Sequence, residues 1–248
     1  MLSEELLERL RKARHVVVMT GAGISAESGI PTFRDAQTGL WARFNPADLA
    51  TPEAFLSNPQ RVWDWYASRR AAMLEREPNA GHYSLVRMAD LVPRLTLITQ
   101  NVDGLHQRAG SRDVLELHGN LGRVKCFDYH HAVAHWDDQE RPPHCPECGS
   151  LLRPDVVWFG EMLPNRIFAA AQIAAEDCDV FFSIGTSAEV YPAADLAHQA
   201  LSAGAMVVEV NAERTPLSQH AHHVLTGKAG TWLPSLVTAA WGNEGDLG

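Results

Sequence analysis

The sequence lacks any apolar run close to the roughly 20 residues that a membrane-spanning helix needs. It also lacks a block rich in Lys and Arg, and its formal net charge is -9, so the basic surface typical of a nucleic-acid binder is missing. The first 20 residues begin acidic and helical, without the basic-then-apolar order of a signal peptide. We therefore expect a cytoplasmic protein, monomeric by default, that binds neither membranes nor nucleic acid.

Cysteine is scarce, and its placement is informative. The four cysteines are Cys126, Cys145, Cys148 and Cys178. In a chain without a secretion signal, clustered cysteines favour metal binding over disulfides. Cys145-Pro-Glu-Cys148 has the spacing of half a zinc knuckle, and Cys126 lies upstream at a separation that suits a small ribbon. His130 or His131 could complete a set of three cysteines and one histidine for a structural zinc ion; the alternative is a metal-free module held by packing.

Apolar segments dominate the rest of the chain, and 46% of all residues are hydrophobic. Strand-like runs occupy residues 15–20, 94–101, 113–119, 179–187, 205–211 and 222–227. Helical patterns occupy residues 3–14, 165–176 and 193–203. This alternation predicts an α/β fold with a Rossmann-like parallel sheet covered on both faces. In such sheets ligands bind at the carboxyl ends of the strands, where the polar sequences TGAG, TQNVDG, LHGN, IGTS and VNAE lie.

Two segments interrupt this alternation. Residues 38–80 are helical in pattern and rich in aromatic side chains, whereas residues 125–153 are rich in Cys, His and Pro. We expect one domain in which a helical insertion (38–80) and a small zinc-ribbon-like module (125–153) are inserted into the Rossmann-like part. The Rossmann-like part then comprises residues 1–37, 81–124 and 154–248.

The first strand is followed by the pattern Gly21-Ala22-Gly23-x-x-Ala26. Small residues at this place let the backbone approach a pyrophosphate, although a ligand-free turn has the same pattern. Pro31 interrupts the long helix that an ordinary dinucleotide-binding protein would have, which indicates that the loop wraps a ligand. No acidic residue ends an obvious second strand about 20 residues on, which argues against a hydride-transfer enzyme.

Several longer motifs carry a family resemblance. These are GAGISAESGIPTFR (21–34), TQNVDGLHQRAG (99–110), ELHGN (116–120), GTSAEVYPAA (185–194) and the late EVN and GKAGTWLP. In order and spacing they resemble the sirtuins over nearly the whole chain. The resemblance implies an NAD-consuming protein-lysine deacylase that acts on acyl-lysine-bearing proteins. In that reaction the acyl oxygen displaces nicotinamide from the ribose of NAD, and water completes the release of O-acyl-ADP-ribose and free lysine.

The resemblance also assigns catalytic roles. His118 matches the general base, and an imidazole can accept a proton at neutral pH. Asn101 matches a residue that positions a water or hydroxyl, and Asp103 matches one that bonds the nicotinamide carboxamide. Asn-Val-Asp-Gly is also good turn chemistry, so these two residues have a purely structural alternative.

NAD-binding residues follow in the same way. The matching positions are Gly21, Ala22, Gly23, Ala26, Phe33, Arg34, Gln100, Asn101, Asp103, Gly185, Thr186, Ser187, Asn211 and Ala229. Phe33 would shield the reacting ribose carbon from returning nicotinamide, and Arg34 would face the phosphates. Polar residues at strand ends can also cap the helix that follows.

The substrate side rests on two segments. Tyr66 and Arg69 are three residues apart in a helical stretch and so share a face, and a phenol beside a guanidinium suits a carboxylate. The same pair resembles that of the sirtuin branch that removes succinyl and malonyl groups, whose bacterial members also remove acetyl groups. Val157, Phe159 and Gly160 resemble the strand that pairs with the substrate peptide.

Three further points stay open in the sequence. The family has a second cysteine three residues after the first, where this chain has Tyr129, a poor zinc ligand. An NAD glycohydrolase or ADP-ribosyltransferase is one alternative to the deacylase. A non-catalytic NAD or ADP-ribose sensor is another. Retention of Asn101, Asp103 and His118 argues against the sensor, and the Tyr66/Arg69 pair would have no purpose in the glycohydrolase.

Overall fold

The computed structural model describes residues 2–32, 46–137 and 139–242. Its strands are β1 (Val16–Thr20), β2 (Leu95–Thr99), β3 (Leu115–Glu116), β4 (Gly119–Cys126), β5 (Ala132–Val133), β6 (Leu152–Val156), β7 (Val180–Ile184), β8 (Met206–Asn211) and β9 (His223–Thr226). Its α-helices are α1 (Glu4–Lys12), α2 (Pro52–Ser57), α3 (Pro59–Leu74), α4 (Ala80–Leu91), α5 (Leu105–Ala109), α6 (Asn165–Asp177), α7 (Asp195–Ser202) and α8 (Ala229–Trp241).

Six strands form a parallel sheet in the order β3-β2-β1-β7-β8-β9. Its central strands β1 and β7 are buried along their whole length, because helices cover both faces. This arrangement confirms the predicted α/β fold. The strand predicted over 113–119 is shorter than expected: β3 has two residues, and Gly119 already belongs to β4, which pairs in the other sheet.

Alternate residues of β1 divide the core into two layers. Val16 and Val18 pack with α1, α4 and α8, whereas Val17 and Met19 pack with α6 and α7. The alternation follows from the geometry of a strand, in which successive side chains point to opposite faces. It also explains why the sequence of β1 is apolar throughout.

The chain order of the strands creates a crevice. From β1 the chain proceeds through β2 to β3 on one side, and β7, β8 and β9 continue on the other side. Neighbouring loops at such a switch point leave the sheet in opposite directions and open a cleft at the carboxyl ends of the strands. The loops after β1 and β7, which carry Gly21 and Gly185, lie at this position.

The remaining strands form a separate antiparallel sheet in the order β5-β4-β6. It uses residues on both sides of the segment 125–153, since β4 begins at Gly119 and β6 ends at Val156. Helices α2 and α3 pack against it through Phe55, Tyr66 and Trp63. We call α2, α3 and this three-stranded sheet the small lobe. Among the described residues, no helix has both the length and the apolar character needed to cross a bilayer.

Candidate active site

The loop after β2 is tied to the loop after β1 by side-chain hydrogen bonds. The buried Asn101 donates from Nδ2 to the Gly21 carbonyl oxygen at 3.1 Å and to Ser25 Oγ at 3.2 Å. Ser25 Oγ in turn donates to Asp103 Oδ2 at 2.7 Å. Asn101, Ser25 and Asp103 therefore form one connected group, and the orientation of each depends on the others.

Asp103 is held at a fixed place by its own backbone. Its Oδ1 accepts from the amide of Leu105 at 2.9 Å, which stabilises the turn that starts α5. Burial raises the pKa of Asp103, and the hydrogen bonds from Leu105 and Ser25 oppose this effect. The Asx turn that the sequence allowed is thus present, and the carboxylate contacts the glycine-rich loop as well.

His118 follows β3 and presents one defined nitrogen as a base. Its Nδ1 lies 2.9 Å from the Gln100 carbonyl oxygen, which can only accept, so Nδ1 carries the proton. The other ring nitrogen, Nε2, is then left with a lone pair. Burial lowers the pKa of His118, while the bond to Gln100 acts in the opposite direction. A neutral imidazole with a basic Nε2 is therefore the form favoured at neutral pH.

Two glycines, Gly23 and Gly185, bring the loops after β1 and β7 into contact. The amide of Gly23 donates to the Gly185 carbonyl oxygen at 2.7 Å. A Cβ on Gly23 would lie 2.6 Å from Gly185 Cα, and one on Gly185, where φ is +62°, would lie 2.4 Å from the Ile24 nitrogen. The sequence suggested that these glycines make room for a phosphate; the structure adds that they pack the two loops together.

Polar residues beyond β7 and β8 reach the same crevice. Gln100 Nε2 donates to Thr186 Oγ1 at 3.1 Å, and Asn211 Nδ2 donates to the Thr186 carbonyl oxygen at 2.9 Å. Thr186 therefore links the ends of β2, β7 and β8. Ser187 follows it and is partly buried.

The remaining predicted cofactor residues lie on the rim of this arrangement or outside the described residues. Ala22 and Ala26 each start a short 3₁₀ turn in the loop after β1, and Ala229 starts α8. The amide next to Ala229, that of Gly230, donates to Glu27 Oε2 at 2.7 Å, which joins α8 to the loop. Phe33 and Arg34 fall among residues 33–45, which lie outside the described residues.

A buried hydrogen-bond chain below Asn101 was missed by the sequence analysis. The amide of Asn101 donates to Thr99 Oγ1 at 3.0 Å, and Thr20 Oγ1 donates to the same oxygen at 2.9 Å. Since Thr20 uses its proton there, it accepts from His106 Nε2 at 2.8 Å. The ring of His82 lies 4.9 Å from that of His106, centre to centre. Burial lowers the pKa of His82 to about 4 and that of His106 to about 3.

Tyr66 and Arg69 lie on α3 as predicted, at the interior of the small lobe. The Tyr66 hydroxyl accepts from Trp158 Nε1 at 3.0 Å, and burial raises the pKa of Tyr66 to about 12. The guanidinium carbon of Arg69 lies 5.1 Å from the centre of the Trp65 ring, and its charge acts on Tyr66. The phenol therefore stays protonated. The Arg69 guanidinium is partly desolvated, and this burial lowers its pKa.

The segment 157–160 differs from its predicted strand conformation. Strand β6 ends at Val156, and residues 157–160 are not part of a strand. The amide of Val157 donates to the His118 carbonyl oxygen, and that of Phe159 to the Ala50 carbonyl oxygen, both at 2.9 Å. Gly160 has a positive φ of 86° in this turn. These bonds fix the segment directly beside His118.

Arg153, which the sequence analysis did not single out, supports that segment from inside the small lobe. Its guanidinium carbon lies 3.4 Å from the centre of the Trp158 ring. Its nitrogens donate to the carboxylate of Glu161 and to the Val156 carbonyl oxygen. Glu161 also accepts from the amide of Trp158 at 2.8 Å. The indole that contacts Tyr66 is therefore held on both sides.

The sulfur atoms of Cys126, Cys145 and Cys148 lie within 4.8 Å of one another. Thiolates are preferred ligands of zinc, and three at this spacing fit a structural zinc ion. His131 Nε2 lies 3.3 Å from Cys145 Sγ, whereas His130, the other histidine that the sequence offered, lines a cavity with Glu116 and Arg123. Tyr129 is 71% exposed.

Comparisons with known proteins identify the family of this chain. A family model described as the Sir2 family matches residues 21–192. A Methylococcus capsulatus protein named NAD-dependent protein deacylase is 51% identical over 246 residues, 96% of each chain. The solved structure of a Sir2 homologue mutant with ADP-ribose is 44% identical with a TM-score of 0.90, over 96% of each chain. A Sir2 homologue with NAD is 43% identical with a TM-score of 0.88, over 97% of this chain and 94% of its own.

Proposed function

Because this chain belongs to the Sir2 family, we propose that it is an NAD-dependent protein deacylase that removes succinyl and malonyl groups from lysine, and acetyl groups as well. The products would be nicotinamide, O-acyl-ADP-ribose and free lysine. The observation that carries the acidic-acyl preference is the buried Tyr66 hydroxyl beside Arg69. This hydroxyl already accepts a hydrogen bond from Trp158 Nε1.

The crevice at the carboxyl edge of the six-stranded sheet would hold NAD. When bound, NAD supplies the ribose carbon that receives the acyl oxygen, with nicotinamide as the leaving group. The loops after β1 and β7 would hold the phosphates, and Thr186, Ser187 and Asn211 would hold the adenosine ribose. Their hydrogen bonds to one another support this assignment, because a preorganised polar edge reduces the entropy lost on binding.

Asn101 and Asp103 would orient the nicotinamide end. The Asp103 carboxylate can accept from a carboxamide N–H, and Ser25 holds it toward the glycine-rich loop. Asn101 has its amide nitrogen committed to Gly21 and Ser25, which leaves its carbonyl oxygen for a hydroxyl or water. A fixed pair of this kind favours one geometry of the reacting ribose.

His118 would act as the general base. Its Nε2 lone pair can take the proton of a ribose hydroxyl, and the Gln100 carbonyl stabilises the imidazolium through Nδ1. Burial lowers the pKa of His118, so little of the imidazole is protonated in the resting enzyme at neutral pH. A lowered pKa suits a general base, because only the neutral imidazole can accept the proton.

The acyl chain would point at Tyr66 and Arg69. A hydroxyl has one proton to donate, and since Trp158 Nε1 occupies an acceptor position of Tyr66, that proton is available to a carboxylate. Arg69 adds a positive charge at the same place. Val102, which lies between Asn101 and Asp103, packs on the same apolar cluster as Tyr66, so an acyl chain near the catalytic loop could reach the pair.

The peptide around the modified lysine would lie along residues 157–160. Val157 is bonded to His118, so a peptide alongside it passes the proposed base. Phe159 is 56% exposed and Gly160 is exposed, which leaves their backbone accessible. Main-chain recognition of this kind predicts a modest preference for peptide sequence.

The test compares initial rates on one peptide carrying either succinyl-lysine or acetyl-lysine, with and without NAD. Loss of one charged hydrogen-bond partner in Arg69→Ala should lower kcat/KM for the succinyl peptide about 10- to 100-fold. The acetyl peptide should change less than about threefold, as expected when an uninvolved side chain is removed. Arg61→Ala, an exposed arginine on the same helix, is the matched control and should leave both rates unchanged.

Three outcomes would overturn the proposal in part or in full. Equal losses on both peptides in Arg69→Ala would remove the acidic-acyl preference while leaving the deacylase. Nicotinamide release that is independent of any acyl peptide would identify a glycohydrolase or ADP-ribosyltransferase, and no release at all would identify a sensor.

A further inference from the structure

We propose that His131 is the fourth ligand of a zinc ion bound by Cys126, Cys145 and Cys148. The resemblance to sirtuins calls for a cysteine at position 129, and this chain has an exposed tyrosine there. The zinc site of this chain would then have three sulfurs and one nitrogen. The proposal concerns the small lobe alone and does not depend on the acyl preference.

Two distances between donor atoms are close to those of a tetrahedral ion, and because His131 Nε2 is not within 4.8 Å of all three sulfurs, its ring would turn toward them when the ion binds. With Zn–S near 2.3 Å and Zn–N near 2.0–2.1 Å, tetrahedral angles give about 3.8 Å between sulfurs and about 3.6 Å between sulfur and nitrogen. Cys126 Sγ and Cys148 Sγ are 3.6 Å apart, and Cys145 Sγ and His131 Nε2 are 3.3 Å apart. Both edges lie within about 0.3 Å of the tetrahedral values.

The register of the small sheet explains why His131 and not His130 reaches the cysteines. Strands β4 and β5 pair Val124 with Val133 and Lys125 with Ala132. The next pair in this register is Cys126 with His131, and the amide of Cys126 donates to the His131 carbonyl oxygen at 2.9 Å. Directly opposed residues of an antiparallel pair present their side chains on the same face. His130 lies in the turn between the strands, where its φ is +58°, and it lines a cavity together with Lys125, whose side chain is on the face of β4 opposite to that of Cys126.

A second turn brings the remaining two sulfurs to the same point. The amide of Cys145 donates to the Ser150 carbonyl oxygen at 2.7 Å, and that of Gly149 donates to the Cys145 carbonyl oxygen at 2.8 Å. Gly149 has a φ of +75°, which closes this turn tightly. Each pair of ligands thus comes from one short hairpin, as in a zinc ribbon.

One other arrangement could give the short Cys145–His131 distance: a thiol that donates to the imidazole without metal. Glu147 Oε2 also lies 3.6 Å from His131 Nε2, so its carboxylate could serve as ligand or as partner of the ring. The experiment must therefore separate three cases, namely His131 as ligand, Glu147 as ligand and a metal-free hydrogen bond.

The experiment measures zinc content per chain by mass spectrometry and zinc affinity by chelator competition, in the purified full-length protein. Wild type should hold about one zinc ion per chain. His131→Ala should bind zinc at least about 10- to 100-fold more weakly, given that even outer-shell partners have effects of this size. His130→Ala is the matched control, one residue away on the opposite face, and Glu147→Gln tests the carboxylate; both should bind zinc as wild type does.

A second variant keeps the test decisive if His131→Ala folds poorly. His131→Cys should retain zinc, and in the cobalt-substituted protein its thiolate charge-transfer absorption should exceed that of wild type, since a fourth sulfur joins three. The proposal is overturned if wild type binds no zinc, if His131→Ala binds zinc as tightly as wild type, or if the Co²⁺ spectrum of His131→Cys is unchanged. Loss of zinc in Glu147→Gln with retention in His131→Ala would assign the site to the carboxylate.

Discussion

The carboxyl edge of the six-stranded sheet and the small lobe are built in different ways. At the edge, the proposed catalytic groups lie in loops that each follow a strand directly, such as 21–25 and 100–103, and the parallel order of the strands brings these loops together. In the small lobe, the contact of Tyr66 with Trp158 joins a helix to the segment after β6. Both kinds of contact join residues far apart in the chain; the difference is that strand ends position the first kind and side-chain packing positions the second.

The sharpest test of this division is His118→Ala. Loss of a general base should lower deacylation by about 10²- to 10⁴-fold. Because His118 would act on the ribose and not on the acyl tail, succinyl and acetyl peptides should lose the same factor. Initial rates with saturating NAD, together with thermal melting as a control of folding, provide the measurement.

A selective effect would break the comparison. If His118→Ala reduced only the rate on the succinyl peptide, His118 would act in the selection of the acyl group and not as the general base. An unchanged rate on both peptides in a variant that melts as wild type does would remove His118 from the chemistry.

The same division explains what the sequence could predict. The α/β fold and the family resemblance were confirmed, because buried parallel strands are apolar throughout and the loops after them carry contiguous motifs. The pair Tyr66 and Trp158 is separated by 92 residues, so no periodicity could reveal their hydrogen bond. The choice between His130 and His131 required the register of β4 with β5, which a sequence without strong alternation does not specify.

Part of the pH dependence of stability should originate from His82 and His106, which lie below Asn101 at the edge of the sheet. His82 and His106 are neutral in the folded state, with pKa values of about 4 and about 3, below the ordinary value of 6.5. Above pH 6.5 both rings are neutral in the folded and in the unfolded chain. As the pH falls below 6.5, the unfolded chain takes up protons that the folded chain does not. The free energy of unfolding therefore falls down to about pH 4 for His82 and about pH 3 for His106, by up to about 1.4 kcal/mol per pH unit for each histidine.

Urea denaturation at several pH values between 7.5 and 5 would measure this slope. His106→Gln can still donate to Thr20, and it should reduce the slope of the free energy of unfolding against pH by the contribution of one histidine. His135→Gln, an exposed position in the small lobe, is the control and should keep the slope of wild type. A slope that is unchanged in His106→Gln, or flattened equally in His135→Gln, would contradict the assignment of this pH dependence to the buried pair.

The smallest expected effect is that of Trp158→Phe, which keeps a ring over Arg153 but removes the N–H that Tyr66 accepts. One neutral hydrogen bond is worth about 1 kcal/mol, so kcat/KM on the succinyl peptide should fall about fivefold while kcat/KM on the acetyl peptide changes less.

Tyr66→Phe should lower the rate on the succinyl peptide at least as much as Trp158→Phe does. Because both substitutions remove the same bond, the double variant should lose no more than Tyr66→Phe alone. Additive losses, or equal losses on both peptides, would mean that Trp158 shapes the lobe in general and does not orient the Tyr66 hydroxyl toward an acyl carboxylate.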